Sequence, residues 1–192
     1  ANYPFCTIEP NTGRVAVPDP RLTEIADLAK SAKMIPTFLE FVDIAGLVRG
    51  AASGEWLGNQ FLANIREVDA IIHVLRCFED SDVTHVENSI DPIRDAATVE
   101  TELMLADMDS LERRMPALTK KTRGGDKQAA ADLALMEKLF ATLSDGQPVR
   151  TVSGLTEAEK QRLPQLQLLT AKPVLYACNV AEKDSATGNA FS

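Results

Sequence analysis

Three short apolar runs, separated by polar and helical stretches, most constrain the fold of this chain. They occupy residues 38–43 (FLEFVD), 70–76 (AIIHVLR) and 173–178 (PVLYAC). Continuous apolar runs of this length are typical of parallel strands that are buried on both faces. Between the first two runs, Leu57, Phe61 and Ile65 recur every four residues, which predicts a helix. The sequence therefore predicts a βαβ unit with a right-handed crossover, within a parallel sheet of the α/β class.

The segment before the first run predicts smaller elements. Arg14–Val17 has the pattern of an edge strand, and the Pro-Asp-Pro sequence at 18–20 predicts a turn. Leu22, Ile25 and Leu28 then follow at helical spacing, which predicts a short amphipathic helix.

Residues 95–145 are rich in Ala, Leu, Met, Glu, Lys and Arg, a composition that favours helix. Two series of apolar residues recur there at alternating spacings of four and three: Met104, Met108, Leu111, Met115 and Leu118, then Ala129, Leu133, Met136, Phe140 and Leu143. Gly124-Gly125-Asp126 separates the two series, so we predict an antiparallel helical hairpin inserted between the second and third apolar runs. Pro116 lies within the first series, where we expect a kink or a break.

Two arrangements of this hairpin fit the pattern. Its apolar series can pack against the sheet as ordinary core, or they can face each other while the hairpin projects into solvent. Charged residues between the apolar positions favour projection: Glu112, Arg113, Arg114, Lys120, Lys121 and Arg123. A projecting hairpin suggests a surface that contacts a partner.

The strongest chemical pattern is Asp43-Ile44-Ala45-Gly46, which directly follows the first apolar run. In phosphoryl-transfer sites a carboxylate at a strand end holds Mg²⁺, often through water, and a glycine N–H approaches the γ-phosphate because no side chain intervenes. A capped turn is the alternative interpretation, since patterns of four residues also arise by chance.

A second pattern, Asn179-Val180-Ala181-Glu182, directly follows the third apolar run. Loops in this position read ligands in doubly wound folds. The tetrapeptide resembles the Asn-Lys-x-Asp loop of GTPases, in which the aspartate accepts two hydrogen bonds from guanine. Here Val180 replaces the lysine and Glu182 replaces the aspartate. A plain transition from strand to loop is the alternative.

A third candidate is Thr7, at the centre of the irregular stretch 2–11 (NYPFCTIEPN). A loop threonine can place its hydroxyl on Mg²⁺ and its N–H on a γ-phosphate, so that the loop is ordered only while triphosphate is bound.

Composition excludes several classes of protein. The net charge of −8 argues against nonspecific binding to DNA or RNA backbones, although a local basic patch remains compatible with it. No apolar run reaches the roughly 18–20 residues of a membrane span, and no signal peptide begins the chain, so we expect a cytoplasmic protein. Cys77 and Cys178 lie in apolar runs and are expected to be buried thiols, and a zinc site is not expected.

Taken together and in order, these segments resemble the Obg-like ATPase family often called YchF. The resemblance rests on YPFCTIEPN at 3–11, FVDIAGLV at 41–48, GEWLGNQFLANIRE at 54–67, HVLRCFED at 73–80 and GGDK at 124–127. It implies a Rossmann-like P-loop NTPase G domain that carries an inserted coiled-coil hairpin. The implied organisation is a first part of the G domain at 1–94, the helical insertion at 95–145, and the return part of the G domain at 146–192.

The resemblance also implies roles for individual residues. Thr7 corresponds to the switch I ligand of Mg²⁺, and Asp43 and Gly46 correspond to the switch II pair, with Asp43 also on the metal. Asn179, Val180 and Glu182 correspond to the loop that recognises the base. The family favours ATP over GTP, and its implied partner is the ribosome or a ribosomal subunit, not a specific DNA sequence.

Two further features shape the expected activity. Leu47 stands directly after Gly46, where Ras-like proteins have a glutamine that orients water, so slow turnover that uses another group is expected. No Gly-x-x-x-x-Gly-Lys-Ser/Thr sequence occurs in the chain, and the family places that loop upstream of Ala1. We therefore expect the natural protein to be longer, and this chain alone to bind nucleotide weakly and hydrolyse it negligibly.

A different class of function is also compatible with the sequence. In that alternative the helical hairpin is a binding module for the ribosome or another partner, and nucleotide handling is vestigial or regulatory.

Overall fold

The computed structural model describes residues 11–44, 56–80 and 89–192. These residues belong to two compact units, which divide the chain between Gly46 and Leu47. Thr7 and Gly46, both predicted site residues, lie outside the described residues. Each unit is described by itself below.

The first unit contains an antiparallel strand pair and one helix. Strand β1 (Asn11–Ala16) pairs with strand β2 (Phe38–Asp43), and helix α1 (Pro20–Ala29) lies between them in sequence. Asp19 caps α1, since its carboxylate accepts the backbone N–H of Arg21 at 3.0 Å. Proline at the first helical position suits this start, because its missing N–H would have no partner there.

The second unit is built around a parallel strand pair. Helix α2 (Trp56–Glu67) leads to strand β3 (Ile71–Arg76), which pairs in parallel with strand β4 (Val174–Asn179). Between these strands the chain forms the long helices α3 (Pro92–Arg123) and α4 (Lys127–Ser144), and then the short helix α5 (Glu157–Arg162). Four short 3₁₀ turns lie among the described residues of the unit: Val149–Thr151, Leu163–Leu166, Leu169–Ala171 and Glu182–Asp184.

Helices α3 and α4 form the predicted antiparallel hairpin. They pack on each other and are joined at Gly124–Asp126, where Gly125 adopts a positive φ of 87° that glycine tolerates. Asp126 starts α4, because its carboxylate accepts the N–H groups of Gln128 and Ala129. The two glycines therefore end one helix and turn the chain, as predicted.

The core of this unit combines the hairpin with the segment that follows it. Its buried members are Leu111, Leu135, Met136, Leu139, Leu143, Val149, Leu166 and Leu168. Leu111, Met136 and Leu143 belong to the predicted apolar series, whereas Leu135 and Leu139 do not. The apolar face of α4 is wider than the two-position stripe of a coiled coil, because α4 packs on residues 149–168 as well as on α3.

The helix α3 continues through Pro116, so the expected break is not found. Pro116 is exposed, whereas the adjacent Met115 packs on the hairpin core. We attribute the continuity of the helix to this packing, which outweighs the local cost of the missing N–H.

The apolar strands differ from the prediction in two ways. The run 38–43 pairs antiparallel with β1 among the described residues and not in a parallel sheet, and the expected burial on both faces is wrong. Exposed side chains include Phe38, Leu39, Phe41, Ile72, Val74 and Leu175. Among the described residues each sheet has two strands, whereas parallel sheets that are buried on both faces are larger and carry helices on both sides. In α1, likewise, Ile25 and Leu28 are exposed and Ala26 is buried.

Candidate functional site

Asp43 is the last residue of β2, in the first unit. In the antiparallel register it lies opposite Asn11, and its side chain is exposed. An exposed carboxylate at a strand end is the type of hard oxygen ligand that Mg²⁺ binds while it keeps several waters.

The predicted base-reading loop begins at the end of β4, in the second unit. The carbonyl of Asn179 accepts the backbone N–H of Cys77 at 2.8 Å, which fixes the end of β4 against the chain that leaves β3. Val180 is half-buried, and Glu182 starts a 3₁₀ turn with its side chain exposed. The structure therefore brings Asn179, Val180 and Glu182 together on one short loop. Asp43 and this loop belong to different units.

Asn189 contacts two residues beside the predicted base-reading loop, Cys77 and Asp184, and no sequence pattern indicated this role. Its side-chain amide donates to the carbonyl of Cys77 at 2.8 Å and to the carboxylate of Asp184 at 3.2 Å. Its side-chain oxygen accepts the N–H of Phe191, whose carbonyl accepts the thiol of Cys77 at 3.3 Å. Gly188, with a φ of 74°, allows the chain to turn there. Glycine followed by asparagine was the one local signal for such a turn.

Cys77 and Cys178 differ in environment. Cys77 is fully buried as predicted, but Cys178 is exposed, so the expectation of two buried thiols is half wrong. Burial, followed by the adjacent Cys178 thiol, raises the pKa of Cys77 to about 11.

The turn Leu169–Lys172, directly before β4, is tied to three other elements. Asp107 of α3 is buried, and its carboxylate accepts the N–H of Leu169 at 2.8 Å and the N–H of Thr170 at 2.8 Å. The Thr170 hydroxyl donates to the same carboxylate at 2.7 Å and accepts the N–H of Val149 at 3.1 Å. Burial raises the pKa of Asp107, and these hydrogen bonds oppose that effect.

The third attachment of this turn is Lys172. Its ammonium donates to the carbonyl of Arg66 at 3.0 Å and to that of Val68, at the C-terminal end of α2. A cation at a helix C-terminus satisfies carbonyls that have no partner within the helix. Lys172 thus ties α2, the helix that follows the Asp43–Gly46 segment, to the start of β4.

The tip of the hairpin carries a concentrated positive charge. Residues 113–127 contain six basic residues and one acidic residue, whereas the other 177 residues contain 14 basic and 27 acidic residues. Lys120, Lys121, Arg123 and Lys127 are exposed there. A groove of about 450 Å³ lies beside the tip, lined by Arg113, Arg114 and Arg162 over apolar Leu118 and Met136.

No group of three or more His, Cys, Asp or Glu side chains is placed to hold a metal within residues 11–44, 56–80 and 89–192. No helix in the same part of the chain is long and apolar enough to cross a membrane.

Comparison with known proteins places the chain in a family. A family described as "50S ribosome-binding GTPase" matches residues 1–112. Curated relatives include "Ribosome-binding ATPase YchF" of Haemophilus influenzae, 54% identical over 182 residues, which are 95% of this chain and 50% of that protein. The protein of the same name from Bacillus subtilis is 47% identical over 186 residues, which are 97% of this chain and 50% of the relative. The chain thus spans about half the length of these relatives.

A solved structure agrees with the sequence comparison. The "Structure of the Schizosaccharomyces pombe YchF GTPase" superposes with a TM-score of 0.73 at 40% identity, and it covers 96% of this chain and 50% of that one. The fold is accordingly that of a P-loop GTPase-type G domain, and the expected resemblance is confirmed. This chain belongs to the family of 50S ribosome-binding GTPases, and within it is homologous to the YchF proteins.

Proposed function

We propose that the full-length protein is a Mg²⁺-dependent ATPase switch that favours ATP over GTP and associates with the ribosome in the cytoplasm. Asp43 and Thr7 would hold Mg²⁺, which neutralises charge on the phosphates, and Gly46 would sense the γ-phosphate. Asn179, Val180 and Glu182 would contact the base. Loss of the γ-phosphate would release the segments around Thr7 and Gly46, and a partner would read that change.

The observation that carries this proposal is the loop after β4. The carbonyl of Asn179 accepts the N–H of Cys77. The Asn189 amide joins the Cys77 carbonyl to the carboxylate of Asp184, two residues after the loop. Contacts of this kind hold a binding loop in position. The loop lacks the lysine and the aspartate that favour guanine, since Val180 and Glu182 stand in their places. The carboxylate of Glu182 is one methylene further from the backbone than that of aspartate, so the two donors of guanine lose their best-placed acceptor and the preference for guanine should fall.

The experiment introduces the lysine and the aspartate of the GTPase Asn-Lys-x-Asp loop into the full-length protein. In the double variant Val180→Lys, Glu182→Asp, the affinity for GTP relative to ATP should rise at least about tenfold, because sites that pair a buried polar group discriminate strongly. The control is Lys183→Ala, a neighbouring exposed residue, which should leave the ratio unchanged. If the double variant keeps the ATP-to-GTP ratio of the wild type, this loop does not read the base.

The proposed metal ligand is tested separately. Asp43→Asn should lower ATP hydrolysis by about 10²-fold or more and raise the Mg²⁺ concentration needed for half-maximal activity. Glu40→Gln is the matched control, because Glu40 is an exposed carboxylate of the same strand and forms a surface ion pair with the exposed Arg14 at 3.4 Å. Equal Mg²⁺ dependence of the two variants would rule out Asp43 as a metal ligand.

A second candidate function is favoured by the charge of residues 113–127. In this proposal the hairpin tip is a binding module for the phosphate backbone of ribosomal RNA, and hydrolysis regulates it. Clustered Lys and Arg side chains release counterions when they bind phosphates, so binding through them weakens as salt rises. We also propose that residues 95–145 are an insertion between the two parts of the G domain, at 1–94 and 146–192.

Charge reversal tests this module better than deletion would. Deleting residues 95–145 would remove Asp107, which holds the turn before β4. Lys120→Glu, Lys121→Glu, Arg123→Glu together should weaken binding of the full-length protein to 50S subunits at least about tenfold and flatten its salt dependence. Lys30→Glu, Lys33→Glu, Lys160→Glu is the control with the same change in charge. Equal loss in both triple variants, or none in either, would rule out the tip.

A further inference from the structure

The strand β4 is held by α3 at two points. In the turn that precedes the strand, the buried Asp107 accepts two backbone N–H groups and one hydroxyl from Leu169 and Thr170. Three residues before the base-reading loop, the hydroxyl of Tyr176 donates to Glu100 of α3 at 3.2 Å. The same Glu100 oxygen accepts the guanidinium of Arg150. One helix of the hairpin therefore sets the position of the strand.

The position of β4 depends strongly on these attachments. Among the described residues β4 pairs with β3 alone, and the contacts with α3 add to the hydrogen bonds that hold the strand in this part of the chain. The six residues of β4 form one extended segment, and each is paired with a residue of β3. A shift of residues 169–172, at one end of this segment, would therefore also shift Asn179 at the other end.

We propose that Asp107, Thr170 and Lys172 are positioning residues for nucleotide binding: they fix the turn at 169–172, and through β4 they set the base-reading loop at 179–182. This inference rests on the proposed role of that loop. Because Lys172 binds the end of α2 and Asp107 belongs to the hairpin, the turn also couples the hairpin to the helix that follows the Asp43–Gly46 segment. A partner that moves α3 would then change nucleotide affinity, and nucleotide would change partner affinity by the same factor.

The first test removes one hydroxyl from the full-length protein. Thr170→Val keeps the branched shape but removes the donor to Asp107 and the acceptor of the Val149 N–H. The Kd for ATP should rise about five- to tenfold, within the range of measured couplings, while the Kd for inorganic tripolyphosphate stays within about twofold. Thr170→Ser, which keeps the hydroxyl, should restore the wild-type Kd for ATP.

Amide hydrogen exchange separates positioning from general destabilisation. In Thr170→Val the exchange of residues 174–184 should accelerate, whereas exchange at the hairpin tip, residues 113–127, should not. Lys172→Met is the second variant, because it keeps the aliphatic side chain and removes the donor to Arg66 and Val68. Lys172→Met should likewise raise the Kd for ATP and leave the Kd for tripolyphosphate within about twofold.

Asn179→Ala distinguishes failure of this inference from failure of the proposed function. If Asn179→Ala raises the Kd for ATP but Thr170→Val and Lys172→Met do not, the loop reads the base and the positioning role is wrong. If Asn179→Ala has no effect, the proposed base-reading role fails. Equal loss of ATP and tripolyphosphate binding in Thr170→Val would also overturn the positioning role.

Discussion

The carboxylate of Asp107 accepts both the backbone N–H and the hydroxyl of Thr170, which lies sixty-three residues further along the chain. Asp107 is only 1% exposed and Thr170 is 0% exposed, so water cannot replace either partner. This contact joins the hairpin to the turn before β4, the strand that leads to the predicted base-reading loop.

Asp107→Ala is expected to destabilise the full-length protein by about 3 kcal/mol or more. It leaves two buried N–H groups and one buried hydroxyl without their acceptor, and each unsatisfied group costs about 1–3 kcal/mol. Urea unfolding followed by tryptophan fluorescence and circular dichroism would measure the loss. Asp109→Ala is the control, since Asp109 is exposed and pairs only with Arg113. A loss below about 1 kcal/mol for Asp107→Ala would contradict the structural role of this carboxylate.

Leu139→Ala should cost about 2–5 kcal/mol of hairpin stability, because Leu139 is fully buried in the core and truncation leaves a cavity. Leu105→Ala is the matched control. Leu105 also lies in the hairpin but is 47% exposed, so its loss should be much smaller. Amide exchange of the hairpin in the full-length protein measures both. Similar protection factors in the two variants would show that α4 packs differently.

Pro116→Ala should stabilise the hairpin by about 1–2 kcal/mol. It restores a backbone donor within α3 and removes a ring that crowds the preceding turn, while the gain is reduced because alanine has more freedom in the unfolded chain. Exchange of amides near residues 112–120 should slow in the variant. Faster exchange there would indicate that the proline is favourable in this helix.

Cys77 and Cys178 should differ in their reaction with iodoacetamide. With a pKa of about 11, about one in a thousand Cys77 thiols is ionised at pH 8, and the side chain is also buried. Cys178 is exposed, so peptide mapping should find it modified at least about tenfold faster. In guanidinium chloride the two rates should converge. Rapid modification of Cys77 in the native protein would mean that the end of β3 opens readily.

The start of α5 should weaken in acid. The backbone N–H of Thr156 donates to Glu159 at 2.7 Å, and this bond and the Thr156 hydroxyl hold the pKa of Glu159 below its usual range. Because its pKa is lowered, the Glu159 carboxylate stabilises the folded state at pH values above its unfolded pKa, which is near 4.5. This stabilisation is lost as the pH falls through the folded pKa. Exchange of α5 amides should therefore rise between about pH 5 and pH 3, after correction for intrinsic rates.

Glu159→Gln should show weaker protection of α5 at neutral pH and little change on acidification. Glu157→Gln is the control, because Glu157 is exposed and pairs only with Lys160. If the wild type and Glu159→Gln respond to acid alike, the capping box does not depend on this carboxylate.

Local pattern determined most of the secondary structure. The apolar runs at 38–43, 70–76 and 173–178 correspond to β2, β3 and β4, and Gly124-Gly125-Asp126 ends α3 and starts α4. Strand length, helical spacing and glycine turns act over a few residues, so they are visible in the sequence. The same holds for Asp43 and Asn179, since each is the last residue of a strand. The roles of Thr7 and Gly46 stay predictions.

Only the tertiary structure decided which faces are buried and which distant residues meet. It paired the run at 38–43 antiparallel with Asn11–Ala16, placed Leu135 and Leu139 in the core, and kept α3 continuous through Pro116. It also joined Asp107 to Thr170, and Lys172 to the end of α2, across sixty-three and more residues. No local preference predicts such contacts, because their free energy arises when burial removes water from both partners at once.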